Sequence, residues 1–403
     1  MLLNRLIKFF CSLRLTVACL CLGLVLVFVG TLAQVDLGLY KAQNEFFRSF
    51  LIYWGPKGAG WKIPVFPGGY LVGGLLLANL VAAHIQRFKF EGKKIGLWMI
   101  HFGLIMMLLG QLLTDLLAVE SGMRLRIGET KNYSESDRVY ELAVVDTSGK
   151  DQDQVVSIPE SMVARGGEIR SAALPFALKV TKYFPNASLR GQKTDGFVQP
   201  DATQGAGKEL WLKEMPKVTV MEERDLPSAV IELSSPKGSL GRWLVSPALE
   251  PQVVTIDQRV FEIGLRGRRY YKPFSVHLDN FNHGTYKGTE IAMDYSSMVH
   301  LHRPDTGEDR SVRIYMNNPL RYDGETFYQA SFDRDDKGTT LQVVHNPSWL
   351  TPYFACGLVG VGMLVQFGMH LIGFIKKRTV GSTTAIAVAA KPAATGKLAR
   401  KAS

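Results

Sequence analysis

Four stretches of this chain run apolar without a single Lys or Arg: residues 15–34, 68–84, 95–118 and 350–375. Each is long enough for the roughly 17–25 residues that a bilayer core requires, so the pattern predicts four transmembrane helices. A secretory signal is the other reading of the first, but its apolar run exceeds the roughly 7–15 residues usual there. Between the third and fourth stretches the pattern changes. LAVVD (142–146), KVTVM (217–221), SAVIEL (228–233), FSVHLDNF (274–281), SVRIYM (311–316) and TLQVVH (340–345) are short, β-branched and bounded by Gly, Pro, Asp or Asn. These read as strands of an antiparallel sandwich or barrel-like sheet, with 189–209 as a Gly/Gln/Asp-rich excursion. The expected fold class is an integral membrane protein with four transmembrane α-helices and a large β-rich extracytoplasmic domain inserted between helices 3 and 4.

Charge gives this arrangement a direction. Residues before the first span, between the second and third, and after the fourth hold 14 of the 47 basic residues and one of the 36 acidic ones. By the positive-inside rule these segments, and both termini, are cytoplasmic. The rest of the chain carries 33 basic and 35 acidic residues, so the formal charge of +11 is a topology signal and not a nucleic-acid footprint. This sets the expected domains. Residues 1–34 are a cytoplasmic N-terminus and first span, and 35–66 an extracytoplasmic loop. Residues 67–118 hold two spans and a cytoplasmic loop, 119–347 the β-rich domain, 348–378 the last span, and 379–403 a disordered Ala/Thr/Lys-rich tail. In the 35–66 loop, aromatics from Tyr40 to Trp54 recur near helical spacing, which suits a helix in the membrane interface or a plain aromatic belt.

The candidate chemistry lies in the spans. His101 is the one histidine of the third apolar run. Imidazole in hydrocarbon is costly unless partnered, and neutral imidazole is a common ligand of metals, heme iron included. A hydrogen bond to a neighbouring helix is the structural alternative. Gly96, Gly103 and Gly110 repeat every seven residues, a spacing that lets helix backbones approach closely. At about 100° per residue His101 lies roughly 200° from Gly103, so the glycine face can pack while the histidine faces elsewhere. His84 ends the second span and His370 lies in the fourth; each reads as an interfacial or bundle-facing residue, or as a helper at the same site. His300 and His302 share a strand face and fit the polar side of an amphipathic strand. His277 and His345 read similarly, and His283 sits in an NHGT turn. The four cysteines fall in or beside spans, and no CxxC occurs, which argues against thiol exchange by a dithiol of this chain.

GTLAQ closing the first span, PVFPGG before the second, and HFGLIMMLLG followed by ESGMRLRIGET resemble the ResB (CcsB) family of cytochrome c biogenesis proteins. KPFSVHLDNF, YKGTEIAMDYSS, IYMNNPLRYDGETFYQASF and GTTLQVVHNP extend the resemblance through the second half of the β-rich domain. The resemblance implies a bacterial inner-membrane subunit that works with a CcsA-like protein bearing a WWD motif in the System II pathway. That pair carries heme b outward as a transported substrate and attaches it to the CxxCH thiols of apocytochrome c. A thiol-reducing protein of the pathway is a further implied partner. The family's transmembrane heme ligand falls on His101, and its EG reads ESG here, which leaves that position aligned. The six tryptophans form no WWD-like cluster, so the chain looks like the ResB half, a non-catalytic or co-catalytic subunit of a holocytochrome c synthase (heme lyase). A membrane-anchored binding or sensor scaffold without heme is the alternative. The segment 314–332, with turns at Asn318-Pro319 and Asp323-Gly324, reads as the most constrained part of the domain.

Overall fold

The computed structural model describes residues 2–56, 60–87, 91–149, 152–220, 223–288 and 292–389. The chain divides into two compact units, one of Met1–Val29, Glu45–Leu117 and Ser348–Ser403, the other of Gly30–Asn44 and Ala118–Pro347.

The first unit is built on helices. A short amphipathic α1 (Leu2–Phe10) precedes α2 (Leu13–Leu37), and α3 (Leu39–Ala42), which falls in the second unit, leads into a wider turn at Gln43–Phe47. Next come α4 (Gly69–Arg87) and α5 (Ile95–Leu117); α6 (Glu160–Arg165) belongs to the second unit, and α7 (Thr351–Ala389) closes the described chain. Four helices are long and apolar enough to cross a membrane: Leu13–Leu37, Gly69–Gln86, Ile95–Leu117 and Thr351–Arg378. These coincide with the four apolar stretches within a few residues. Two differences appear at their margins. The aromatic run is helical only to Phe47; β1 (Leu51–Trp54) then pairs antiparallel with β2 (Ile63–Pro67). Ser49 ends the helical part by donating its hydroxyl to the Glu45 carbonyl at 2.7 Å, and Leu-Ile-Tyr-Trp has the bulk that favours a strand. Helix α7 also continues to Ala389, so it takes in the first part of the tail. Residues 390–403 of the expected disordered tail lie outside the described residues.

Asn79 and a row of glycines are among the contacts that hold these helices in register. The break between α1 and α2 leaves backbone carbonyls open, and the buried Asn79 of α4 closes it. Its amide donates to the carbonyls of Phe10 at 2.5 Å and Ser12 at 3.1 Å, while its Oδ1 accepts from Thr16 Oγ1 at 2.6 Å. On α5, Gly96, Gly103 and Gly110 are all buried and face α7. A Cβ added at Gly103 would lie 2.6 Å from Val359 Cγ2 and 2.9 Å from the Ala355 carbonyl oxygen. The seven-residue glycine spacing is therefore a helix–helix seam, as the sequence suggests.

The second unit is β-rich. Strands β3 (Val119–Arg126), β4 (Thr130–Asp146) and β5 (Gln154–Pro159) open it. A four-stranded sheet is ordered β11 (Gly238–Val245), β10 (Ser228–Ser235), β7 (Ala177–Phe184), β6 (Gly167–Ile169). Strands β8 (Ala187–Arg190) and β9 (Trp211–Glu214) form a separate ribbon. The ten-stranded sheet adds β12 (Gln252–Ile256), β13 (Arg259–Thr285), β14 (Ala292–Arg303), β15 (Glu308–Tyr315), β16 (Leu320–Tyr322), β17 (Glu325–Phe332) and β18 (Gly338–His345). Its main path runs β15-β14-β13-β4-β3-β18-β17-β16. Five of the six runs read as strands lie in strands. KVTVM is the exception. Residues 217–220 run without regular structure, with the Val218 N–H on the Asp225 carboxylate at 2.8 Å and the Thr219 carbonyl accepting from the Lys41 N–H at 3.3 Å; Met221 lies outside the described residues.

Strand β13 spans two cores. Its Phe261, Ile263 and Leu265 join Leu142, Ile231 and Leu233 in one, and its Phe274, Val276 and Leu278 join Leu125, Val299 and Phe327 in the other. Alternation keeps each set on one face. Pairing with β4 breaks between Tyr271 and Val276, where Pro273 supplies no N–H to the ladder. Lys272 beside it is buried and paired with Glu325 at 2.7 Å. The 314–332 segment contributes Phe327 to the second core, and Tyr322 meets Phe274 edge-on at 4.9 Å, while Tyr328 stays exposed. Its Asp323-Gly324 turn has φ of 49° and 75°, the left-handed pair a two-residue hairpin needs.

Truncating Phe261 or Phe274 to Ala should each cost about 3–5 kcal/mol. Hydrogen exchange on the full chain should show deprotection spreading from each site into β13 as a whole. A second expectation concerns alkaline pH. Burial pushes the Tyr140 phenol up to about 12, and its hydroxyl donates to the Asp225 carbonyl at 2.5 Å. An unfolded tyrosine titrates near 10, so this contribution is complete below about pH 10 and is lost as pH rises through about 12. Circular dichroism of the full chain should show alkaline unfolding in that window, and Tyr140→Phe should weaken the dependence.

Candidate functional site

Helices α4 and α5 form a hairpin within the first unit. Glu91 and the short turn Gly92–Lys94 start α5, with the Lys94 N–H on the Glu91 carbonyl at 2.8 Å and the Lys94 ammonium 3.0 Å from the Glu91 carboxylate. The hairpin brings His84, in the last turn of α4, against the first turns of α5. His84 is 7% exposed. Its ring meets Trp98 edge-on at 4.2 Å between centroids, and its centroid lies 5.7 Å from that of His101 with the planes tilted by 41°. Trp98 and His101 stand three residues apart, hence on one helix face. His84, Trp98 and His101 are therefore one cluster, on the side of α5 away from its glycine seam.

The hydrogen bonding of His101 sets its chemistry. Its Nδ1 lies 2.8 Å from the Leu97 carbonyl oxygen. A carbonyl only accepts, so the proton sits on Nδ1 and the neutral ring keeps its lone pair on Nε2. This is the backbone contact that fixes tautomer and orientation in imidazoles that ligate metals. His101 is partly exposed while His84 is buried, so His101 is the more accessible of the two imidazoles. The cluster can hold a metal ion from the imidazole side or accept a proton; its aromatic flank suits a planar, apolar ligand.

His370 is not part of the cluster. It lies exposed on α7, and Gln366 donates from Nε2 to its Nε2 at 2.9 Å. Gln366 Oε1 also accepts the Leu97 N–H at 3.2 Å. Neither Trp98 nor Gln366 is evident from the sequence pattern alone. The signal for Trp98 is its spacing of three from His101; that for Gln366 is its spacing of four from His370, a weaker one.

A second polar group lies at the other end of α5. Tyr70 donates its hydroxyl to Asp115, whose other oxygen is 2.8 Å from Arg48 Nε. This satisfies a carboxylate inside a span and ties three segments together.

His277, His300 and His302 of the β-rich unit behave as strand-surface residues. His300 contacts Asp309 and lies 3.2 Å from Ser311 Oγ, His302 Nδ1 is 3.6 Å from Asp309, and His277 Nδ1 is 2.7 Å from Thr130 Oγ1. His283 lies in β13 and not in a turn, its Nδ1 3.1 Å from Asp336. Among the described residues no group of three or more His, Cys, Asp or Glu is arranged to hold a metal ion. Glu120 accepts from Gln342 at 3.2 Å, and Glu129 accepts the Arg126 N–H at 2.9 Å, both contacts within the β-rich unit.

The helices and the sheet together define a multi-pass membrane protein that carries a β-rich domain and a pair of neighbouring imidazoles between two spans. Residues 250–345 match the ResB-like family, in agreement with the resemblance carried by the motifs. The matched segment contains β12 to β18, so it includes the strand shared by both cores and most of the second core. Over 120 residues, 30% of this chain, the sequence is 29% identical to Protein NrfI of Wolinella succinogenes. That match spans 13% of the length of the relative.

Proposed function

We propose that this chain acts in cytochrome c biogenesis as a ResB-like subunit that takes part in carrying heme across the membrane and delivering it to apocytochrome c. The ResB-like segment supports the pathway. The observation that carries the heme reading is His101 within α5, its Nδ1 held by the Leu97 carbonyl so that the lone pair sits on Nε2. Heme is the substrate here, and an axial imidazole is what its iron takes from a protein. His101 holds the iron, Trp98 and the buried His84 flank it, and the apolar spans exclude water. A CcsA-like WWD protein supplies the other ligand and the attachment chemistry, so this chain is the co-catalytic half. A thiol-reducing protein keeps the apocytochrome thiols ready, consistent with the absence of any CxxC here. The site has no role for His370 as a direct ligand.

The basic segments support a cytoplasmic-membrane topology with both termini inside, and with 35–66 and 119–347 outside. His101 then lies near the inner end of its span, on the side from which heme enters.

In the complex copurified with its partner, His101→Ala should lower heme content and shift the reduced spectrum, and added imidazole should partly restore both. An unchanged heme level and spectrum would remove His101 from the site. For the topology, reporter fusions after Lys94 and Lys377 should read cytoplasmic, and fusions at Gln152 and Asp305 should read extracytoplasmic. A cytoplasmic signal at Gln152 or Asp305 would overturn the route drawn for heme.

A further inference from the structure

We propose that Gln366 of α7 is the positioning residue for His101, acting through the backbone of Leu97. This rests on the heme reading for its consequence but not for its geometry. The first N–H groups of a helix have no partner within it, and in a membrane such a group must be satisfied by protein. At the start of α5 the Leu97 N–H is satisfied by Gln366 Oε1 at 3.2 Å. The carbonyl of the same residue accepts from His101 Nδ1 at 2.8 Å. Leu97 is thus held at its amide by one helix and holds the imidazole at its carbonyl. Fixing its amide fixes the first turn of α5, and with it the direction of His101 Nε2.

The approach that allows this bond is built into both helices. A Cβ added at Gly96 would lie 2.7 Å from the Gln366 backbone nitrogen and 2.7 Å from the Gly362 carbonyl oxygen. A Cβ at Gly362 would lie 2.8 Å from Met99 Cβ and 2.9 Å from the Ile100 nitrogen. Only with both positions bare can a glutamine of α7 reach a backbone N–H of α5. The amide nitrogen of Gln366 turns the other way and donates to His370 Nε2 at 2.9 Å, which fixes how the amide is set: oxygen toward α5, nitrogen toward His370. His370 therefore orients Gln366, and Gln366 orients the turn that carries His101.

The test compares Gln366→Leu, which cannot accept, with Gln366→Glu, which can. Both are made in the full chain, copurified with its partner, alongside His101→Ala. Hydrogen exchange read by mass spectrometry over 96–101 should be faster in Gln366→Leu and near wild type in Gln366→Glu. Heme retention should weaken about tenfold in Gln366→Leu, at the low end of what an outer partner of a ligand contributes. The spectrum of the heme that remains should also shift, and Gln366→Glu should keep the wild-type spectrum. Wild-type exchange in Gln366→Leu overturns the proposal whatever the heme does. Loss of heme with an unshifted residual spectrum, accompanied by a lower melting temperature, also overturns it, because that marks general loosening of the helices. If His101→Ala leaves heme unchanged, the heme reading falls, whereas faster exchange in Gln366→Leu still supports the positioning role.

Discussion

The membrane part of this protein depends on how closely α5 and α7 can approach. Apolar side chains gain nothing by leaving lipid for one another, so helices in a bilayer associate through packing and a few polar contacts. Gly96, Gly103 and Gly110 supply the packing along one face. Gln366 supplies a polar contact that the packing alone makes reachable. On the opposite face the same helix holds His101 and Trp98 against His84. One span thus separates two faces by angle: the bare side builds the helix pair, and the other carries imidazole and indole.

The β-rich unit has a comparable single dependence. Strand β13 gives three apolar side chains to each of two cores, and the change of direction between them falls at Lys272-Pro273. Placing a lysine in the interior is costly without an opposite charge, and Glu325 stands 2.7 Å away. That glutamate immediately follows the Asp323-Gly324 turn, so the hairpin and the bend in β13 are fastened to one another. The segment that matches the ResB-like family contains both.

Much of this was legible in the sequence, for physical reasons. A bilayer enforces length and apolarity on a span, so the four helices are found within a few residues of the apolar runs. Period-two alternation is equally plain where one face of a strand is buried, as in FSVHLDNF and TLQVVH. KVTVM has the composition of a strand without its pairing, because its backbone groups are taken by Lys41 and Asp225. The aromatic run 40–54 has nearly helical spacing, yet its last four residues pair with β2, a contact that no spacing reveals. For the site, His101 and His84 stand out because imidazole is rare in a span. Their meeting depends on the α4–α5 hairpin. Gln366 was hidden because its partner is a backbone N–H, and backbone groups leave no trace in a sequence.

The bond between Leu97 and Gln366 joins residues 269 positions apart, and the intervening chain includes nearly all of the β-rich unit. At roughly 5–20 residues per second of synthesis, helix α5 exists for roughly ten to fifty seconds before α7 is made. Throughout that interval its glycine face has no α7 to meet, and the Leu97 amide lacks the glutamine that later accepts from it. The other seam closes early, since Asn79 follows Thr16 by only 63 positions. The protein is therefore assembled in an order written into its contacts: the elbow of α1 and α2 is locked first, and the histidine-bearing helix is set in place only after α7 has been made.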